Sequence, residues 1–105
     1  MDNLKIKIYQ FFGKARQYAK LKEEVKEVLA AYFKYKAYRS KDNLLHLIEE
    51  LNDALNVAEG IGLVEHGITE NETRAEKHSK LHRTEKIMSE CKTPEEYEEF
   101  RKKMT

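Results

Sequence analysis

Leu4, Ile8, Phe11, Ala15, Tyr18, Val25, Leu29 and Tyr32 recur at alternating steps of four and three. Only Lys22 interrupts them. This is the rhythm of one continuous helical face. One proline and four glycines in 105 residues leave few places to break a helix. The chain therefore reads as all-α. The first helical pattern covers roughly residues 3–38. Gly13 inside it costs about 1 kcal/mol against alanine and marks a kink or a break between two helices.

Tyr38-Arg39-Ser40-Lys41 is the expected turn. Ser40 or Asp42 then caps a second helix, about 42–59, with Leu44, Leu47, Ile48, Leu51 and Leu55 inward. Gly60-Ile61-Gly62 is expected to end or bend it. Thr69-Glu70-Asn71-Glu72 has the pattern of a capping box, opening a mostly polar helix from about 70 to 90. Leu81, Ile87 and Met88 are its few apolar anchors. Thr93-Pro94-Glu95-Glu96 starts a short last helix, about 94–103, with Thr as cap and Pro at the first helical position. That helix offers Tyr97 and Phe100 for burial and little else.

A chain of 105 residues is expected to form one domain, 1–105, with one core of modest margin. Its formal net charge of +1 gives no field that argues for nucleic acid or membrane. No apolar run approaches the roughly 20 residues of a transmembrane helix, and Met1-Asp2-Asn3-Leu4-Lys5 lacks a signal-peptide apolar core. The single Cys91 has no partner for an internal disulfide, so a reducing cytoplasmic location is the default.

Within this helical frame, two pairs of acids stand out. Glu24 and Glu27, and Glu50 and Asp53, are each spaced i, i+3, which makes them helix neighbours with Cβ atoms roughly 5–6 Å apart. The pairs interrupt the apolar stripe. Leu21, Glu24, Val25 and Val28 stand at i, i+3, i+4 and i+7, and so do Leu47, Glu50, Leu51 and Ala54. Carboxylates aimed at a core are costly unless paired or bound to metal. A short connection makes the two helices antiparallel neighbours, so four carboxylates converge and repel unless cations sit among them. Hard oxygen ligands of this kind suit Mg²⁺ or Mn²⁺.

The charge map is uneven in the same sense. Residues 1–41 carry eleven Lys/Arg and four acids, three of which are Glu23, Glu24 and Glu27. Residues 42–72 carry eight acids and no Lys/Arg. Residues 73–105 carry nine Lys/Arg and seven acids. The acidic block weighs against a nucleic-acid partner. His78 and His82, at i, i+4, have a zinc-compatible spacing, but no third ligand type accompanies them, and they read as surface histidines.

These motifs resemble the MazG-like branch of the all-α nucleoside triphosphate pyrophosphohydrolases, in the manner of small phage-type members. Gln17-Tyr-Ala-Lys20-Leu21-Lys-Glu23-Glu24-Val-Lys-Glu27-Val28 is similar to the family's Q-x-x-K-L-x-E-E-x-x-E-L stretch. Asn43-Leu44-Leu45-His-Leu-Ile48-Glu49-Glu50-Leu51-Asn-Asp53 is similar to its N-L-x-x-E-x-x-D helix. His66-Gly67-Ile68-Thr69, followed by Lys77-His-Ser-Lys80-Leu81-His-Arg83, resembles its third helix. The resemblance covers about residues 10–88. The chain departs from it around Asp53, where Asn52, Ala54 and Asn56 replace the usual small and aliphatic flanks.

The resemblance implies a helical bundle of the all-α NTP pyrophosphatase type. It implies hydrolysis of a nucleoside triphosphate to monophosphate and pyrophosphate. Glu24, Glu27, Glu50 and Asp53 would hold Mg²⁺, with Mn²⁺ as the alternative ion. Glu24 also belongs to the catalytic pair with Glu23, and Glu23 has three open readings: orienting a ligand, binding metal through water, or acting as base for the attacking water. Lys77, Lys80 and Arg83 would meet the phosphates, and Lys20 would pair with the acids or with a phosphate. The apolar stripe from Leu4 to Tyr32 is longer than two short helices can cover, so a homodimer or homotetramer is expected. The competing reading is a catalytically silent helical interaction protein.

Overall fold

The computed structural model describes residues 2–104. It is helical throughout, with α1 at Asp2–Phe12, α2 at Lys14–Ala37, α3 at Lys41–His66, α4 at Glu70–Glu90 and α5 at Pro94–Met104. No helix among the described residues is long and apolar enough to cross a membrane. The chain divides into two compact units, 1–70 and 71–105.

In the first unit, Gly13 breaks the long stripe into two helices. Its φ of +85° is one that side-chain-bearing residues rarely adopt, so α1 can turn back and pack on α3. Lys5 on α1 pairs with Glu59 on α3 at 3.2 Å, both largely shielded from solvent. Gly60 is buried on the facing surface of α3, where an added Cβ would lie 3.9 Å from the Lys5 carbonyl oxygen.

The turn between α2 and α3 is short, and the two helices run antiparallel with the most extensive packing in the unit. Ser40 is the cap: its hydroxyl oxygen accepts from the Asn43 backbone N–H at 3.1 Å, as Ser at an N-cap does. The Asn43 amide donates to the Tyr38 carbonyl at 2.9 Å and braces the turn.

The expected end of this helix at Gly60-Ile61-Gly62 is not observed; α3 continues to His66. The roughly 1 kcal/mol penalty of a helical glycine is small beside tertiary packing, and Gly60 is where α1 comes near. Gly67 ends the helix instead, at φ +67°, with its N–H donating to the Leu63 carbonyl at 2.9 Å. The N–H of Glu70, the last residue of the first unit, is then taken by the Asp2 carboxylate at 3.1 Å.

The second unit is a polar pair of helices. Ile87 is its buried anchor, while Leu81 and Met88 remain exposed. The Thr93 hydroxyl oxygen accepts from the Glu96 N–H at 3.1 Å, and Glu96 reaches back to the Lys92 N–H at 2.8 Å. This is the predicted start signal, with the return bond one residue earlier than in the standard box. Tyr97 is half-buried and Phe100 exposed.

Candidate metal centre

The central part of α2 faces the central part of α3. Glu24, Glu27 and Glu50 each place a carboxylate oxygen within 4.8 Å of the others. Glu24 is only 3% exposed, Glu50 is half-buried, and Glu27 stands at the open side. Lys20, one turn before Glu24, donates from Nζ to Glu24 Oε1 at 2.8 Å. His46 Nε2 lies 3.8 Å from Glu50 Oε1, also one turn away. The remaining oxygens, Glu24 Oε2 and Glu50 Oε2, are buried and have no hydrogen-bond partner.

That arrangement is electrostatically incomplete. Three carboxylates share the space, and the Lys20 ammonium neutralises part of their charge. Glu27 shows the consequence. Its carboxyl is held above the ordinary glutamate range, chiefly by sharing a hydrogen bond with Glu50 and then by the negative charge of Glu24. Conversely, pairing with Glu24 holds the Lys20 ammonium above its usual range. Buried carboxylate oxygens without donors are what a hard dication satisfies, so the donor set fits Mg²⁺ or Mn²⁺.

The predicted set is brought together in part. Asp53 is exposed, one turn beyond Glu50 on α3, and lies outside the cluster of three. Glu23 is exposed and lines a groove beside the cluster. Lys77, Lys80 and Arg83 are exposed on α4, in the second unit. His78 and His82 are exposed on the same helix, consistent with surface histidines. The half-buried Cys91 has its thiol pushed up, first by desolvation and then by the nearby carboxylates of Glu96 and Glu90.

The groove is the element that sequence reasoning missed. It encloses about 530 Å³, within the range of small-molecule sites. Leu4, Ile8 and Phe12 of α1 form one wall, Val57 and Gly60 of α3 another. Arg16, Gln17, Lys20 and Glu23 of α2 form the side that leads to Glu24. Gln17 is 4% exposed, so an amide with both donor and acceptor capacity is built into a mostly apolar lining. The i, i+4 spacing of Arg16 and Lys20 beside the acids is a signal for it in the sequence; the α1 wall has none, because it depends on the turn at Gly13.

No protein-family model matches the chain, and neither does any curated protein or solved structure.

Proposed function

We propose that this protein is a Mg²⁺-dependent nucleotide pyrophosphohydrolase of the MazG-like all-α type, cleaving a nucleoside triphosphate to monophosphate and pyrophosphate. One observation carries the metal part of this reading. Two carboxylate oxygens, from Glu24 and Glu50, are buried without partners in a cluster that already has more negative than positive charge. Burying such groups without compensation is costly, and a dication removes the cost. The family part is supported by the motif resemblance over residues 10–88.

Glu24, Glu27 and Glu50 would hold the ion, with Asp53, one turn beyond Glu50, as the fourth candidate ligand. Mg²⁺ supplies Lewis-acid polarisation of a phosphoryl oxygen and a water of lowered pKa. Around it, each side chain has a separate task. Glu23 stands on the groove side, exposed and free to take a proton from an attacking water. Arg16 and Lys20 place cationic groups along the path between groove and cluster, where phosphate charge needs neutralising. Lys77, Lys80 and Arg83 are further candidates for phosphate contact. The test is the product pattern from a screen of nucleoside triphosphates with Mg²⁺. Monophosphate plus pyrophosphate supports attack at the α-phosphorus. Diphosphate plus inorganic phosphate would retain the metal site and reject the family assignment.

A homo-oligomer completes the proposal. Phe11 is 82% exposed, and Val25, Leu29, Tyr32 and Phe33 are exposed on the same unit, outside the groove lining. Apolar surface on that scale marks an interface. A second copy offers the matching stripe. The same observation favours the competing reading, a silent helical interaction protein. Mg²⁺-dependent stabilisation separates the two, because only a real site binds the ion more tightly when folded.

A further inference from the structure

We propose that Lys20 is a cation shared between the carboxylate cluster and the groove, so that binding of a divalent metal at the cluster creates a site for an organic anion in the groove. The inference rests on the metal-site reading above and adds a coupling that the reading does not require.

Three observations support it. The Lys20 ammonium lies 2.8 Å from Glu24 Oε1, on one of the three carboxylates of the cluster. The lysine side chain is half exposed, and this ion pair holds a long, flexible stem. The same residue also lines the groove, one turn from Arg16 and next to the apolar wall of Leu4, Ile8 and Phe12. In the metal-free protein Lys20 acts as a tethered counter-ion for a buried carboxylate. A dication brings two positive charges to the same carboxylates and repels the ammonium. The groove, which Lys20 already lines together with Arg16, is where the released ammonium gains a use. Two cations one turn apart, beside apolar side chains and the Gln17 amide, suit an anion that carries an apolar or aromatic body, such as a phosphate monoester.

Thermodynamic linkage makes this coupling reciprocal: whatever factor the metal adds to anion affinity, the anion adds to metal affinity. Without its positive charge at position 20, the cluster should bind metal more tightly and the groove should lose its response.

The experiment is calorimetric titration of the full chain with Mg²⁺, with phenyl phosphate, and with each in the presence of the other. Inorganic phosphate reports how much the apolar body contributes. Wild type should show phenyl phosphate binding tightened about fivefold or more by Mg²⁺, and more than inorganic phosphate is. Lys20→Met should bind Mg²⁺ more tightly than wild type and show no coupling. Lys20→Gln keeps a hydrogen-bond donor to Glu24 without the charge, and serves if Lys20→Met fails to fold. Lys22→Met, an exposed lysine on the same helix, should leave both affinities unchanged. Equal Mg²⁺ affinity in wild type and both Lys20 variants would overturn the shared-cation role and leave the metal site standing. Tighter Mg²⁺ binding without any effect on phenyl phosphate would also overturn it. Absence of Mg²⁺ binding in every variant would overturn this proposal and the metal reading together.

Discussion

Tyr18, near the start of α2, donates its hydroxyl to the carboxylate of Glu65, near the end of α3, at 2.6 Å. Lys14 reaches the same carboxylate at 3.6 Å and lies over the Tyr18 ring. The antiparallel pair is thereby clamped at the end opposite the Ser40 turn, with the carboxylate cluster between the two. The hydrogen bond to Glu65 pushes the Tyr18 phenol up to about 12. A raised phenol favours the folded state fully below the ordinary tyrosine value of about 10, and that contribution is lost as pH rises through the folded value. The difference between the ultraviolet titrations of wild type and Tyr18→Phe should therefore show one tyrosine ionising near 12. A difference curve centred near 10 would mean that the clamp is open in solution.

Millimolar Mg²⁺ should raise the melting temperature by several degrees. Ten-fold saturation corresponds to about 1.4 kcal/mol of stabilisation, and a domain of this size shifts by about 4–8 °C per kcal/mol. Glu24→Gln and Glu50→Gln should abolish the rise, because each removes a charged ligand from the cluster. Asp53→Ala should only weaken it, since Asp53 lies exposed beyond Glu50. An equal loss in all three variants would place Asp53 among the direct ligands.

The metal response should also depend on pH. Glu27 is protonated more readily in the folded protein than in the unfolded chain. Its own contribution to stability is present below the ordinary glutamate pKa and is lost as pH rises through the raised value. A dication acts in the opposite direction, because it binds the ionised carboxylates. The Mg²⁺-induced shift should thus grow as pH rises from the ordinary glutamate range through the raised value of Glu27. Thermal melts across that interval check it; a shift independent of pH would place the ion elsewhere.

Light scattering at micromolar concentration should report a homo-oligomer. The exposed apolar side chains of α1 and α2 leave a single copy poorly covered. A monomer of 12.4 kDa under those conditions would contradict the proposed assembly.

Gly67→Ala should destabilise the first unit by about 1 kcal/mol. Nothing lies within 4 Å of an added Cβ, so the whole effect comes from the backbone conformation at φ +67°. Denaturant melts measure it, and an unchanged midpoint would show that the α3 terminus adapts without strain.

Local signals in the sequence were sufficient for much of this architecture. The four-three apolar rhythm, the scarcity of proline, and the Ser40 and Thr93 caps all act within one or two helical turns, and α3 and α5 start where those caps put them. The proximity of Glu24 and Glu27 on α2 to Glu50 on α3 was legible for the same reason: the helical repeat and a short connection leave few other registers. Tertiary structure decided the rest. Gly60 read as a breaker and is a packing surface, because its role depends on where α1 lands. Glu24 and Glu50 sat at equivalent points of the stripe, with Glu27 and Asp53 three residues beyond them. Burial of Glu24, exposure of Glu27 and Asp53, and the intermediate state of Glu50 follow from how far each helix is rotated toward its neighbour. Periodicity defines a face to within about 100° of arc, whereas burial of a single carboxylate depends on a fraction of that. The groove, the Lys5–Glu59 pair and the Asp2 contact at Glu70 join residues more than thirty positions apart, and no local preference encodes which distant partners a folded helix will meet.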